Sequence, residues 1–453
     1  MEVLLGPDAD LLNVRGTSTG TRTFVDLGDG DDTVYMGSSA RVAGPLEASI
    51  VPGDLQRVKA EIMLDFGTGD HKLLMSDVSS VTASLSARLY DSLLTGVAPA
   101  TIRYLTAGTF TGGVMVFLGA QGNQLDIIST HQTVERLTVT SVYAGLGDDT
   151  VNVYLDDTAD GFLLVHGQAG NDAITWSATM PGVIMGGSGN DTLVGAELRP
   201  NYICGDNCVV EFTDPDTGAV ITRTGLQGLE LAELADTVDR SGLVQPMAEL
   251  RSVQPEETGD DFIQGGLTID YMIGGGGNDT LVAQAGSLHV LIGDHGRVQF
   301  DTAAAEVAST FTAETLFAAF AGPDTITGNN LTDLVLGGSN RNGDTGLAQA
   351  ESSAAADVIN TGDGPDLVLG DNGGLTMAAG VLMSVWPSDA DYGSGDLIDT
   401  GSDDDLVCAG AGDDHVWAGA GDDVVAGDHC AYLVTDPVGS RRVTAAEITS
   451  RGG

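Results

Sequence analysis

Aspartate recurs in this chain at a fixed distance from glycine and from an aliphatic residue, and that combination suits the binding of a hard divalent cation. In residues 396–428, DLIDTGSDDDLVCAGAGDDHVWAGAGDDVVAGD, Asp396, Asp405, Asp414 and Asp423 fall every nine residues. Two residues after each comes an aliphatic side chain: Ile398, Val407, Val416 and Val425. Gly410 and Gly412, then Gly419 and Gly421, precede the last two aspartates. Calcium takes about six to eight oxygen ligands from carboxylates and peptide carbonyls. Glycine allows the tight turns and close backbone approach that bring such oxygens together. The nine-residue step returns in DFIQGGLTIDYMIGGGGNDTL as Asp261, Asp270 and Asp279, with Gly275 and Gly277, and again as Asp324 with Asp333 and Asp357 with Asp366.

The segments GGGGND (274–279), GGSGND (186–191) and the two GAGDD stretches (410–414 and 419–423) resemble the repeats-in-toxin calcium-binding nonapeptide, G-G-x-G-x-D-x-U-x, where U is a large aliphatic. The resemblance implies an all-β fold, a parallel β-roll or β-solenoid. Six residues of each nonapeptide form a turn, and three form a short strand with U pointing inward. Two nonapeptides make one coil, so residues eighteen apart lie above one another. Asp261 then faces Asp279, Asp396 faces Asp414 and Asp405 faces Asp423. Ca2+ between stacked turns would convert mutual repulsion into ligation, which couples folding to metal binding. The resemblance further implies export from a Gram-negative bacterium by a type I route and folding in extracellular calcium.

These sites need elements to hold them, and the N-terminal half reads as a looser solenoid of larger coils. Degenerate turns there keep Asp32, Asp149, Asp172 and Asp191, while His71 and Gln124 stand at the ligand position of two further copies. Runs such as FVDL (24–27) and VNVYL (151–155) alternate as strands do. A second motif, G-D-[NH]-[GC], occurs at ICGDNCVVEF, LIGDHGRVQF, VLGDNGGLTM and VAGDHCAYLV, with His295 and His429 in the place of Asn207 and Asn372 as turn caps. Each copy ends an array, supplies a closing strand and leads into an excursion. The expected organisation is a degenerate solenoid over 1–212, an insertion over 213–258, and roll arrays over 259–300, 323–377 and 394–434. Insertions at 301–322 and 378–393 separate the arrays, and 435–453 links to a further repeat. Apolar spacing in 312–322 and 228–238 predicts short helical insertions. The final AEITSRGG resembles the stretch that opens at Ala248, so the chain is expected to be part of something longer.

Composition narrows the function. The 65 acidic and 18 basic residues give a net charge of −47, which disfavours nucleic acid and anionic membranes and favours cations. A halophile's acidic coat would not keep register with glycine and an aliphatic position. No stretch is apolar enough to span a bilayer. Cys204, Cys208, Cys408 and Cys430 are open to two local disulfides, one of three pairings, or to a role as small buried hydrophobes. No H-E-x-x-H and no nucleophile elbow is present. The expectation is a non-enzymatic calcium-binding structural or adhesive segment, extracellular or at the cell surface, facing surface glycans or other surface proteins. The alternative is the solenoid and accessory region of a polysaccharide lyase or epimerase, which would need acid, base and arginine residues gathered on one face.

Overall fold

The computed structural model describes residues 1–39, 52–110, 112–132, 138–156, 160–179, 182–198, 200–213, 220–224, 247–286, 288–301, 310–339, 356–389, 392–428 and 430–433. The chain forms two compact units, one of residues 1–186 with 212–245 and the other of 187–211 with 246–453.

In the first unit the coils are large. One parallel sheet begins with Glu2–Leu4, Thr23–Asp26, Ile62–Asp65 and Ile102–Leu105, and continues with Gln124–Ile127, Thr150–Val153 and Ala173–Trp176. A hairpin of Ala87–Tyr90 and Leu93–Thr95 pairs antiparallel between these groups. The facing sheet contains Leu11–Val14, Thr33–Met36, Lys72–Ser76, Val114–Phe117, Val139–Leu146 and Phe162–Ala169. Alternation sends every second side chain inward. Leu125, Val151 and Ile174 therefore stack in register as one buried aliphatic column.

The second unit is a tighter roll. Three-residue strands, Thr192–Val194, Phe262–Gln264, Thr280–Val282, Thr325–Thr327, Val358–Asn360, Leu397–Asp399 and His415–Trp417, form one parallel sheet. Asn201–Cys204, Asp270–Ile273, Leu288–Ile292, Thr332–Leu336, Leu367–Leu369, Leu406–Cys408 and Val424–Ala426 form the other. Their central aliphatics fill the interior: Ile263, Leu281, Ile326 and Ile398 from one sheet, Met272, Leu291, Val335, Val368 and Val407 from the other, are all fully buried.

The excursions form a third layer. Met247–Ser252, Gly296–Phe300, Phe311–Thr315, Gly373–Ala378, Val381–Pro387 and Tyr432–Leu433 make a consecutive antiparallel run. Tyr271 of the roll packs against Phe300 and Phe311 of this layer, with ring centroids 4.9 and 5.6 Å apart. The helix expected over 312–322 is not formed. Phe311, Ala313 and Thr315 are buried while Thr312 and Glu314 are half-buried, a two-residue period that only a strand satisfies. The helix expected over 228–238 lies outside the described residues, as do His429 and the link at 435–453. Among the described residues no α-helix occurs, and Leu55–Arg57 is a single 3-10 turn. Cysteines 204 and 208 are bonded to each other, as are 408 and 430, so the local pairing is the one realised.

Removing the Phe311 ring should destabilise this layer by about 3–5 kcal/mol. Native-state hydrogen exchange of Phe311→Ala would show faster exchange in 296–300 and 373–378; unchanged protection would mean that the aromatic contact does not hold the layer.

Candidate functional site: stacked aspartate turns

The turns on each edge of the roll are joined by side chains that reach from one coil to the next. On the edge that leads into the Thr192–Val194 sheet, the backbone N–H of each aspartate donates to Oδ1 of its successor. The series runs Asp191 to Asp261 (2.7 Å), Asp261 to Asp279 (2.7 Å), Asp279 to Asp324 (2.8 Å), Asp324 to Asp357 (2.7 Å), Asp357 to Asp396 (3.2 Å) and Asp396 to Asp414 (2.9 Å). On the opposite edge Asp333 donates to Asp366 (2.8 Å), Asp366 to Asp405 (3.0 Å) and Asp405 to Asp423 (3.2 Å). Aspartates nine apart therefore sit on opposite edges, and partners eighteen apart share one. Where an insertion intervenes, the separation grows to 45 for Asp279 and Asp324, or 39 for Asp366 and Asp405, without loss of register. The chain loops out and returns to the same rung.

The first unit builds the same device from fewer aspartates. Asp10 donates to Asp32 at 2.9 Å, and Asp149 to Asp172 at 2.7 Å across 23 residues. His71 does occupy a rung, with Nδ1 accepting the Asp32 N–H at 3.2 Å. The other substituted rung is held by Asn123 and not by Gln124. Asn123 is buried and its N–H donates to Asp149 Oδ1, whereas Gln124 opens the next strand and is exposed. GAQGNQL is as long as GLGDDTV of the next coil, but its second glycine, Gly122, stands one position later, so counting forward from glycine overshoots; counting back two from the inward Leu125 lands on Asn123.

In the second unit the other carboxylate oxygen points at backbone carbonyls. A β-carbon built on Gly205 would lie 2.1 Å from Oδ2 of Asp261 and 2.2 Å from the Gly274 carbonyl oxygen. On Gly274 it would lie 2.6 Å from Asp279 Oδ2 and 2.0 Å from the Gly293 oxygen, and on Gly293, 2.3 Å from Asp324 Oδ2 and 2.5 Å from the Gly337 oxygen. Gly337 and Gly370 repeat the pattern with Asp357 and Asp396. At each of these rungs one carboxylate oxygen and one carbonyl oxygen of the next coil thus crowd the same glycine, which leaves no room for a side chain and sets side by side two oxygens of the kinds that calcium takes as ligands. Among the described residues no donor reaches Oδ2 of Asp261, Asp279 or Asp324. A buried acceptor without a donor is costly, and a cation removes the cost. Among the described residues no cluster of three or more His, Cys, Asp or Glu side chains surrounds a single point, so any ion here draws on backbone carbonyls as well.

Gly275 and Gly277 have φ of +116° and +135°, which curl the turn so that its carbonyls face the neighbouring coil. Gly410, Gly412 and Gly419 are likewise at positive φ, and a β-carbon on Gly421 would strike the Asp403 carbonyl. The last array is less enclosed than the middle of the roll. Asp396 and Asp405 are buried, but Asp414 and Asp423 are only half-buried, with fewer coils beyond them.

Asp270 heads its strand on the second edge. It lies in register with His289, whose Nδ1 is 2.9 Å from Asp270 Oδ2, and His289 in turn is in register with Asp333. Sequence reasoning passed over His289, because a lone histidine in LHVLI carries no turn signal. It also read G-D-[NH]-[GC] only as a turn. Asp206, Asp294 and Asp371 of that motif are buried and cap the following coil. Asp206 accepts from Gly276 N, Asp294 from the amides of Gly322 and Ser339, and Asp371 from those of Ser394 and Ala411. The invariant aspartate across four motif copies was the available signal. At the next position of the motif, Asn372 Nδ2 donates to the Tyr392 carbonyl at 3.2 Å and His295 Nε2 sits 3.3 Å from the Pro255 carbonyl, contacts with segments 20 and 40 residues away.

Packing this many carboxyls into the interior raises their pKa values. Burial pushes Asp279 and Asp324 well above the usual carboxylate range, and repulsion from neighbouring aspartates adds to it. Burial likewise raises Asp206 and Asp294, with Asp261 and Asp357 respectively as the leading charged neighbours. Asp261 is raised to about 7, Asp366 and Asp371 to about 8, and Asp396 to about 11, burial being the main cause in each. In the first unit Asp149 and Asp172 rise to about 8 and about 7, again through burial.

The family model for the RTX calcium-binding nonapeptide repeat (4 copies) matches residues 183–197, 257–287 and 399–428. The chain carries RTX repeats. The matched segments hold the RTX turns of Asp191, Asp261, Asp279, Asp405, Asp414 and Asp423. The rungs at Asp324, Asp333, Asp357 and Asp366 continue the same ladders between matched RTX segments. No curated protein matches the chain. Among the described residues no helix is long and apolar enough to cross a membrane.

These raised values fix a pH dependence. A carboxyl whose folded pKa exceeds its unfolded value of ~3.9 binds more protons when folded. Its stabilising contribution is complete below the unfolded value and is lost as pH rises through about 7–8, the folded values of Asp261 and Asp366. In EDTA the protein should melt at a higher temperature at pH 5 than at pH 9. A melting temperature that rises with pH in EDTA would contradict the burial of these groups.

Proposed function

We propose that this chain is a calcium-dependent structural segment of a secreted or surface-exposed protein, in which Ca2+ holds successive coils together at the stacked aspartate turns. The observation that carries this reading is the stacking, rung after rung, of a buried Oδ2 with no donor among the described residues beside a turn carbonyl of the next coil, at Asp261, Asp279 and Asp324. Those residues fit the ion. Asp261, Asp279, Asp324, Asp357 and Asp396 would hold it on one edge, and Asp366 and Asp405 on the other, with turn carbonyls completing the set. Asp149, Asp172 and Asp32 would do so in the first unit. The ion supplies positive charge where the fold has gathered negative charge. Asp206, Asp294 and Asp371 position the turns by accepting amide hydrogen bonds from the next coil.

Folding in this reading is completed by extracellular calcium, where the modest affinity typical of such modules is sufficient. In a reducing cell interior with little free calcium the stacked carboxyls would oppose coil stacking. Both disulfides agree with an oxidising compartment. A calcium-stiffened roll serves as a spacer or scaffold that presents neighbouring segments to glycans or proteins at a cell surface.

The role is structural and not catalytic. The buried aspartates are committed to inter-coil bonds. On the outward face of the first unit Glu61 is paired with Arg22 and Arg103, each at 2.9 Å, and Asp126 with Arg88 at 3.7 Å. Those pairs engage Arg22, Arg88 and Arg103, the last of which is one of the arginines a lyase reading would draw on.

Circular dichroism during calcium titration, with magnesium as control, tests the proposal. Calcium should add β structure that EDTA removes, and magnesium should not replace it. An identical spectrum in verified metal-free and calcium-loaded protein would refute the coupling. Asp279→Ala should lower the number of bound ions; unchanged stoichiometry would remove that rung from the site.

A further inference from the structure

The substituted rungs carry information that the aspartate rungs do not. Asn123 is buried, and its side-chain amide is fully engaged. Oδ1 accepts from the Ser84 N–H at 3.0 Å, as an aspartate Oδ1 would. Nδ2 donates to the carbonyls of Gly119 at 3.1 Å and Ala144 at 3.0 Å. The Ala144 carbonyl belongs to the first turn residue of the next coil, since Val114–Phe117 and Val139–Leu146 pair with Phe117 opposite Tyr143. Gly274 holds the same place one coil beyond Gly205, because Cys204 lies opposite Ile273. In the Asp261 rung the Gly274 carbonyl and Oδ2 both lie against the Gly205 α-carbon, and no N–H or O–H of the described residues donates to Oδ2. In the Asn123 rung the equivalent carbonyl is met by an N–H.

Two other neutral rungs behave consistently. Asn201 Nδ2 donates to the Ala196 carbonyl at 2.9 Å and to Asp270 Oδ1 at 2.6 Å, while its Oδ1 accepts from Ala196 N. His71 accepts at Nδ1, which leaves the ring proton on Nε2, and its ring packs against Phe66 and Phe110, with centroids 5.1 and 5.9 Å away. No second oxygen is left facing a carbonyl at either place.

We propose that the residue heading each rung decides whether that rung takes a cation: aspartate makes a cation site, whereas Asn123, Asn201 and His71 are built-in substitutes that close the rung without one. This inference rests on the calcium reading above for its ion and extends it to which rungs bind. Asparagine keeps the Oδ1 acceptor of aspartate, replaces the second oxygen by a donor, and removes one negative charge. The carbonyl that would ligate the ion becomes a hydrogen-bond acceptor. The first unit, with Asn123 and His71 among its rungs, is therefore less dependent on calcium than the continuous aspartate ladder from Asp191 to Asp414.

The test uses the full chain, calcium stoichiometry by equilibrium dialysis, and melting in EDTA. Asn123→Asp should bind one more calcium ion per chain than the wild type and melt at a lower temperature in EDTA. Asp279→Asn should bind fewer ions than the wild type. In EDTA it should melt above the wild type by about 2–4 °C, the shift expected for one hydrogen bond, because its Nδ2 can donate to the Gly293 carbonyl. Asp279→Ala should also bind fewer ions but should melt below Asp279→Asn. Wild type that binds calcium, with no added ion in Asn123→Asp, would overturn the inference. So would Asp279→Asn melting no higher than Asp279→Ala. If Asn123→Asp does not fold even in calcium, the Asp279 pair decides alone. A wild type that binds no calcium at all would instead end the calcium reading, and the EDTA comparison would still judge the amide.

Discussion

The repulsion between carboxyls stacked one coil apart is the constraint around which this fold is organised. Parallel coils bring like residues into register, and the ladder hydrogen bond from each aspartate N–H to the next Oδ1 fixes one oxygen at every rung. The second oxygen is then aimed at a carbonyl. Among the described residues nothing donates to it at Asp261, Asp279 or Asp324, and a proton or a cation would satisfy it. Calcium is the species whose size, charge and preference for oxygen match that arrangement.

The aliphatic columns set the spacing at which this happens. Inward residues such as Ile263, Leu281 and Ile326 gain by stacking, and the same stacking forces the turns together. Favourable burial and unfavourable charge are thus coupled through one geometric repeat. The antiparallel layer relieves neither term at the edges; it covers the face of the sheet that carries Tyr271. This division explains why insertions are tolerated. A loop of any length can leave between Asp279 and Asp324 provided that the chain returns in register.

Much of this was legible in the sequence, because the repeat couples a turn signal to an inward aliphatic two residues later. Asp261 with Asp279, Asp396 with Asp414 and Asp405 with Asp423 could be paired from spacing alone. Pairs across insertions could not, since 45 residues separate Asp279 from Asp324 and only the fold reveals that they touch. The excursion at 312–322 was misread as helical because its apolar spacing suits a helix, and the partner strands that select the extended form at 311–315 are distant in sequence. Asn123 was missed by one position because Gly122 directly precedes it, whereas Gly147 stands two residues before Asp149 in the next coil. The caps at Asp206, Asp294 and Asp371 were hidden because their partners lie in the next coil, up to 45 residues on for Asp294 and 70 for Asp206.

The most direct measurement is anomalous diffraction from crystals grown in calcium. Peaks are predicted in the second unit between successive turns, with Oδ2 of Asp261, Asp279 and Asp324 among the ligands. Ordered turns with no such peaks, and those carboxyls donating hydrogen bonds as neutral acids at neutral pH, would contradict the account.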